Sequence, residues 1–191
     1  DCVPVSYERV VQDVRAVLDR QDVVSLDNTI GKLWFARGYA TYAHDTLLLD
    51  NALATMGAGL AAGMSAKLLQ PERRVLVVAG DGGLLMNYQD LETAVRLGLD
   101  LVVLILRDDA YGFIRWKQAA EGFPDHGMGF GNPDFVRFAE AFGARGLRLQ
   151  PGDSLRDLLR EAFALGGVVL LDCPVDADEN ARLSEDLAAT V

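Results

Sequence analysis

Short runs of consecutive apolar residues recur along the chain, each of the length of a β-strand. They lie at Val23–Leu26, Thr46–Leu49, Val75–Ala79, Leu101–Leu106 and Val168–Leu171. The runs are continuous rather than alternating, which is typical of strands in a parallel sheet that is covered on both faces. The pattern therefore predicts a set of strands buried inside the molecule.

Between these runs, apolar residues recur at intervals of three and four, which predicts amphipathic helices. Such stripes occur in Tyr7–Leu18 and in Leu84–Leu97. A third helix is predicted over Ser154–Leu165, with Asp153 as its N-cap and Gly166 ending it. Helices thus alternate with strands along most of the chain.

This alternation predicts an α/β fold with a doubly wound, mainly parallel sheet of about six strands and helices on both faces. Residues 1–191 are expected to form a single domain, and the start at Asp1 without a methionine suggests a fragment of a larger protein. Ligands of such sheets bind outside the carboxyl ends of the strands. Functional residues are therefore expected directly after each strand.

Composition narrows the classes of function. The chain is 50% hydrophobic and 24% charged, with a net charge of -10, so it can form a core but its surface repels nucleic acid and anionic membranes. Cys2 and Cys173 are too few for a disulfide framework, which favours a reducing, cytoplasmic setting. No apolar run approaches the 18 or so residues of a membrane span.

A glycine-rich turn that contains a carboxylate follows the strand Val75–Ala79. It reads Gly80-Asp81-Gly82-Gly83 and leads into a helix. Glycines allow a backbone to approach a ligand closely, and a helix N-terminus suits phosphate. Asp81 would repel a phosphate unless a hard cation lies between them. The alternative is a plain strand-to-helix turn in which Asp81 only caps the helix.

A second carboxylate, Asp108, follows the next strand, Leu101–Leu106. Neighbouring parallel strands would bring Asp81 and Asp108 together, and Mg²⁺ commonly takes one or two carboxylates together with phosphate oxygens and water. A backbone carbonyl near Ala110 could complete the set. A solvated acidic turn at Asp108-Asp109 is the alternative. A phosphatase of the haloacid type also has a Gly-Asp-Gly, but no Asp-x-Asp follows the first strand here.

These residues resemble the diphosphate–magnesium motif of thiamine-diphosphate-dependent decarboxylases and synthases. The resemblance extends over nearly the whole chain and is closest to acetolactate synthase large subunits of the type without FAD. Besides Gly80-Asp81-Gly82 and Asp108, it is carried by Leu33–Arg37, Asp50–Gly57, Tyr111–Gln118 and Phe130–Phe135. The chain would be the C-terminal, cofactor-binding third of such an enzyme.

The resemblance implies roles for particular residues. Asp81 and Asp108 would bind magnesium through their side chains, and Ala110 through its carbonyl oxygen. Met56 would wedge under the cofactor and hold its two rings in a V, and the carbonyl of Ala54 would accept from the 4′-amino group. The cofactor-binding residues implied are Ala54, Met56, Gly80, Asp81, Gly82, Gly83, Asp108, Ala110, Tyr111 and Gly112.

The resemblance also implies an activity and partners. The full enzyme would condense two molecules of pyruvate, a small 2-keto acid, to 2-acetolactate with release of CO₂. A pyrimidine-binding domain, of the same or a partner subunit of a homo-oligomer, would supply the activating glutamate. No catalytic residue is then expected in this chain, which would be inactive alone. The alternatives are another 2-keto-acid decarboxylase or carboligase, and a stand-alone cofactor-binding subunit of a two-chain decarboxylase.

Some residues depart from the family's pattern. Arg107 and Asp109 replace its asparagines, and Gly31 stands where some relatives have a histidine that faces the site. With Asp81, Asp108 and Asp109 close together, the metal-free protein is expected to be destabilised by repulsion between like charges. The glycine-rich loop Glu121–Pro133, which contains His126, is either a mobile lid over the site or a solvated surface loop.

Overall fold

The computed structural model describes residues 3–180, so Cys2 lies outside the described part. No helix within those residues is long and apolar enough to cross a membrane. The strands are β1 (Val23–Leu26), β2 (Leu47–Leu49), β3 (Val75–Gly80), β4 (Leu101–Arg107), β5 (Arg145–Arg148) and β6 (Val168–Pro174). The α-helices are α1 (Tyr7–Val17), α2 (Ile30–Gly38), α3 (Ala58–Leu69), α4 (Asp81–Leu84), α5 (Asp90–Arg96), α6 (Gly112–Ala120), α7 (Phe135–Ala141) and α8 (Leu155–Leu165).

The strands form one parallel sheet in the order β2-β1-β3-β4-β6-β5, which confirms the predicted fold class. From β1 the chain passes outward to β2, and from β3 it passes to β4 on the opposite side. The order therefore reverses between β1 and β3. This reversal opens a crevice at the carboxyl edge, where ligands of such sheets bind.

The two faces of the sheet bury separate hydrophobic clusters. Side chains alternate between the faces along each strand. In β3, for example, Leu76 and Val78 join the cluster under α1, α2 and α8, whereas Val75 and Val77 join the cluster under α3, α5 and α7. Helices thus cover both faces, which explains why the strands are apolar throughout rather than at alternate positions.

Helix α3 lies unusually close to the sheet because glycines form its inner face. A Cβ on Gly59 would stand 2.9 Å from Cα of Asp27, and one on Gly63 would stand 2.4 Å from Cγ2 of Val77. In addition, the hydroxyl of Ser25 donates to the carbonyl of Gly59 at 2.8 Å. The amino end of α3 is therefore held directly against the carboxyl end of β1.

The predicted helix Leu84–Leu97 is wrong as a continuous element. Helix α4 ends at Leu84 and α5 begins at Asp90, with turns between them. The side chain of Asn87 donates to the carboxylate of Asp90 at 2.9 Å and to the carbonyl of Gly57 at 3.3 Å. Asparagine and aspartate compete with helical backbone bonds in this way, which explains the interruption.

Two smaller predictions also need correction. The N-cap of α8 is Ser154, whose hydroxyl accepts from the N–H of Asp157, and the carboxylate of Asp153 accepts from the N–H of Gln150 instead. The sixth strand, β5, has the polar sequence Arg-Gly-Leu-Arg at the edge of the sheet and so produced no apolar run. Gly166 does end α8, as predicted, with φ of 68°.

Candidate functional site

A cleft of about 540 Å³, including its open mouth, lies at the carboxyl edge of the sheet. Its walls come from the segments that follow β1, β2, β3 and β4, on both sides of the point where the strand order reverses. Every residue predicted to bind cofactor lines this cleft except Ala54. The fold thus brings together residues that are far apart in the sequence.

Ala54 lies in the loop between β2 and α3, two residues before Met56. Its φ is 50°, a left-handed conformation that residues with a Cβ adopt at a cost. Met56 is half-buried and lines the cleft, and Gly57 follows with φ of 88°. Two positive φ values within four residues turn this loop sharply and bring Met56 to the cleft wall.

Asp81 is the first residue of α4 and is almost completely buried at the floor of the cleft. Its Oδ1 accepts from the N–H of Gly82 at 2.8 Å, and its Oδ2 accepts from the N–H of Asp109 at 2.8 Å. Burial raises the pKa of the carboxyl group, while a hydrogen bond from the Asn132 side chain opposes that rise. The carboxylate is thereby fixed between the turns that follow β3 and β4.

Asp108 is the second carboxylate of the cleft. Gly80 pairs with Leu106 across β3 and β4, so Asp81 and Asp108 follow the same end of neighbouring strands. Burial, and then the charge of Asp81, raises the pKa of Asp108 from 3.8 to about 7. The carboxylate lies against Gly112, where a Cβ would stand only 2.0 Å from Oδ2. Two neighbouring carboxylates that are largely buried from water are suited to bind a divalent cation.

Asn132 is a site residue to which the sequence analysis gave no role. Its Nδ2 donates to Oδ2 of Asp81 and to Oδ1 of Asp109, each at 2.7 Å. Among the described residues, its own Oδ1 is buried without a hydrogen-bond partner. Asn132 lies in Phe130–Phe135, one of the segments that carried the resemblance, and this was the only signal available.

The loop Glu121–Pro133 folds back over the turn that contains Asp108. Ala110 and Gly129 form an antiparallel bridge, and the N–H of Tyr111 donates to the carbonyl of Met128 at 2.9 Å. The ring of Phe130 packs on Tyr111 with centroids 4.9 Å apart. His126 is exposed. The loop thus contacts the wall of the cleft, and its motion as a lid stays a prediction.

Arg107, for which the sequence offered no explanation, is one of two partners of a buried carboxylate. Asp172 in β6 is 1% exposed and accepts from Nε of Arg107 and from Nε of Arg148, each at 2.8 Å. Arg107 also pairs with Asp109 at 3.2 Å. A buried charge needs such pairing. Arg107 therefore links the end of β4, beside Asp108, to the neighbouring strand.

Asp27, the residue directly after β1, is buried behind the cleft at 1% exposure. Its Oδ1 accepts from the N–H groups of Gly57 and Gly59, at 2.8 and 3.2 Å. Its Oδ2 faces Gly83, where a Cβ would stand 2.0 Å away. Burial raises the pKa of Asp27, against the hydrogen bonds from these backbone groups.

The cleft offers oxygen donors of the kind that a hard divalent cation prefers. Among the described residues no group of three or more histidine, cysteine, aspartate or glutamate side chains could hold a metal ion. Glycine lets the turn after β3 pack closely against the cleft wall, since a Cβ on Gly82 would stand 2.9 Å from the ring of Tyr111. Asp81 and Asp108 supply two hard oxygen donors on the same wall.

Comparison with known proteins gives one consistent family. Residues 29–173 match the model of the thiamine pyrophosphate enzyme, C-terminal TPP binding domain. The chain is 35% identical over 177 residues to an acetolactate synthase of Bacillus subtilis (strain 168), covering 93% of this chain and 31% of that protein. It is 33% identical to a catabolic acetolactate synthase of Raoultella terrigena, covering 91% of this chain and 32% of the relative.

A further relative is a putative thiamine pyrophosphate-containing protein of Bacillus subtilis (strain 168), 33% identical over 169 residues, which are 88% of this chain and 29% of the relative. The chain thus spans about a third of the length of the curated relatives it matches. The matched region contains every residue that lines the cleft except Asn28.

Proposed function

The chain belongs to the C-terminal TPP-binding domain family of thiamine pyrophosphate enzymes, and on that premise we propose that it holds the diphosphate of thiamine diphosphate through Mg²⁺ at Asp81 and Asp108. The observation that carries the proposal is the pairing of these carboxylates in the cleft, where burial and mutual repulsion raise the pKa of Asp108 to about 7. Bound Mg²⁺ would offset both effects. The carbonyl of Ala110 is the third ligand proposed.

Each segment of the cleft has its own part in binding. Four glycines, at positions 80, 82, 83 and 112, line the cleft, so the diphosphate would lie directly against backbone there, and the wall formed by Tyr111 adds an apolar surface. Met56, half-buried at the other wall, would support the two rings in a bent conformation. The bound cofactor supplies the reactive carbon, while these residues bind and orient it.

The activity proposed for the complete enzyme is condensation of two pyruvates to 2-acetolactate with release of CO₂. It is supported by the relatives named acetolactate synthase. The carboxylates that line the cleft in residues 3–180 are Asp81 and Asp108, both assigned to the metal. The acid that activates the pyrimidine is therefore proposed to come from a separate pyrimidine-binding domain, on the same or a second subunit.

Calorimetric titration of thiamine diphosphate into the purified chain tests the binding proposal. Binding is expected with magnesium and should disappear with EDTA, because the two carboxylates repel an uncompensated diphosphate. Asp81→Asn and Asp108→Asn should each weaken binding at least tenfold, since one charged ligand of a hard cation is removed.

Asp157→Asn is the matched control, because Asp157 is exposed on α8, away from the cleft, and its carboxylate pairs with Arg160 at the surface. It should leave binding unchanged. Binding that is indifferent to magnesium would contradict the roles of Asp81 and Asp108. No binding at millimolar cofactor with magnesium would contradict a complete diphosphate site in this chain.

A further inference from the structure

Asp27 lies where three segments of the cleft meet, yet it touches none of the space in which a cofactor would bind. It follows β1 directly and is buried behind Asn28, which lines the cleft. Its Oδ1 accepts from the N–H groups of Gly57 and Gly59, which begin α3. Its Oδ2 lies against Gly83 in the turn after β3. The carboxylate is thus hydrogen-bonded to the ring-facing wall and packs against the diphosphate-facing turn, where its Oδ2 has no hydrogen-bond partner among the described residues.

The contacts of Asp27 replace a cap that α3 lacks. The N-cap residue of α3 is Gly57, which has no side chain to satisfy the first N–H groups of the helix. Asp27 accepts from these groups across the cleft wall, and a carboxylate at a helix N-terminus is also favoured by the helix dipole. Because Gly57 directly follows Met56, fixing its N–H fixes the position of Met56.

Other contacts at Gly57 are weaker. On its other side, the carbonyl of Gly57 accepts from Asn87 at 3.3 Å, which is longer than the 2.8 Å bond to Asp27. Gly57 has φ of 88°, so its backbone has no steric preference that would hold it in place. Asp27 is therefore the main restraint on the loop that ends at Met56.

We propose that Asp27 is a positioning residue that holds Met56 in register with the diphosphate turn, so that the cleft discriminates thiamine diphosphate from inorganic diphosphate. The inference rests on the proposed function. Loss of Asp27 should free the ring-facing wall and leave the magnesium and diphosphate contacts in place, because the hydrogen bonds of its side chain go to Gly57 and Gly59, whereas its Oδ2 makes none to the turn after β3 among the described residues.

The test compares affinities of the full chain for thiamine diphosphate and inorganic diphosphate, both with magnesium, by calorimetry. In the wild type thiamine diphosphate should bind more tightly. Asp27→Ala should reduce that preference about tenfold, a change of about 1.4 kcal/mol, with inorganic diphosphate affinity unchanged. Asp27→Asn keeps the Oδ1 acceptor and should retain most of the preference. Met56→Ala should lose the preference as Asp27→Ala does.

Amide hydrogen exchange of the cofactor-free chain gives a second reading that does not depend on ligand binding. Asp27→Ala should accelerate exchange at Gly57 and Gly59 at least tenfold, while Met56→Ala should not. Unchanged exchange in Asp27→Ala, or an unchanged preference in a folded Asp27→Ala chain, would overturn the inference and leave the proposed function standing. A wild type that binds neither compound would instead contradict the proposed function.

Discussion

At the scale of single residues, Asp108 links the chemistry of the cleft to the stability of the fold. Its pKa of about 7, raised first by burial and then by Asp81, exceeds the value of 3.8 expected in the unfolded chain. The folded metal-free protein therefore retains a proton that the unfolded chain releases. The resulting stabilisation is fully present below about pH 4 and is lost as the pH rises through about 7.

In urea unfolding with EDTA, Asp108 should therefore contribute less to the free energy of unfolding at pH 7.5 than at pH 5. Magnesium should reduce the loss, because the ion binds the deprotonated pair. The pKa of Asp81 is raised in the same direction, so Asp108→Asn should weaken the pH dependence rather than abolish it. Identical pH dependence in wild type and Asp108→Asn would contradict the argument.

The residues of the cleft could be predicted from the sequence where they follow an apolar strand. Asp81 and Asp108 could be predicted because each lies two residues after the end of such a run. Asn132 could not be placed in the same way, since it lies in a loop that reaches Asp81 only through the fold. Arg107 was unexplained for a similar reason, because its partner Asp172 lies 65 positions further along the chain.

At the scale of elements, the position of α3 depends on the close approach of its glycines to the sheet. A Cβ at Gly63 would stand 2.4 Å from Cγ2 of Val77, which is fully buried. Overpacking of this kind costs about 1–3 kcal/mol, and the gain in helix propensity from glycine to alanine returns about 1 kcal/mol. Gly63→Ala is therefore expected to destabilise the fold by up to about 2 kcal/mol.

Chemical denaturation measures this change directly. Gly38→Ala is the matched control, because Gly38 also lies in a helix and, within residues 3–180, its Cβ would meet only Val11, at 3.4 Å. That variant should be neutral or slightly more stable. Equal stability of the Gly63→Ala and Gly38→Ala chains would mean that α3 can move away from the sheet at no cost.

The hydrophobic pattern of the sequence predicted the elements that bury apolar side chains and missed the elements that do not. Strands β1, β2, β3, β4 and β6 were located to within a few residues because apolar side chains fill them. Strand β5 is polar and lies at the edge, where only one neighbour pairs with it. The break between α4 and α5 depends on Asn87 contacting Gly57, a tertiary contact that periodicity does not reveal.

At the scale of the whole molecule, apolar side chains remain exposed in the segments that line the cleft and in those that adjoin them. Leu53 is 85% exposed in the loop that leads to Met56, and Ile114, which lines the cleft, is 45% exposed. Met86, just after α4, is 50% exposed. Exposed apolar patches are typical of surfaces that bind a partner. Its place beside the cleft is consistent with the proposed pyrimidine-binding domain covering this side.

The same division of the site makes a prediction about activity. The chain corresponds to 31% of the length of the Bacillus subtilis acetolactate synthase, and in residues 3–180 the carboxylates of the cleft are both assigned to the metal. With pyruvate, magnesium and thiamine diphosphate, the purified chain should therefore release no more CO₂ than the cofactor alone. Comparison of the wild-type chain with the Asp81→Asn chain isolates any contribution of the cleft to CO₂ release. Release above both controls would mean that this chain supplies its own activating acid, and the proposed dependence on a second domain would then be wrong.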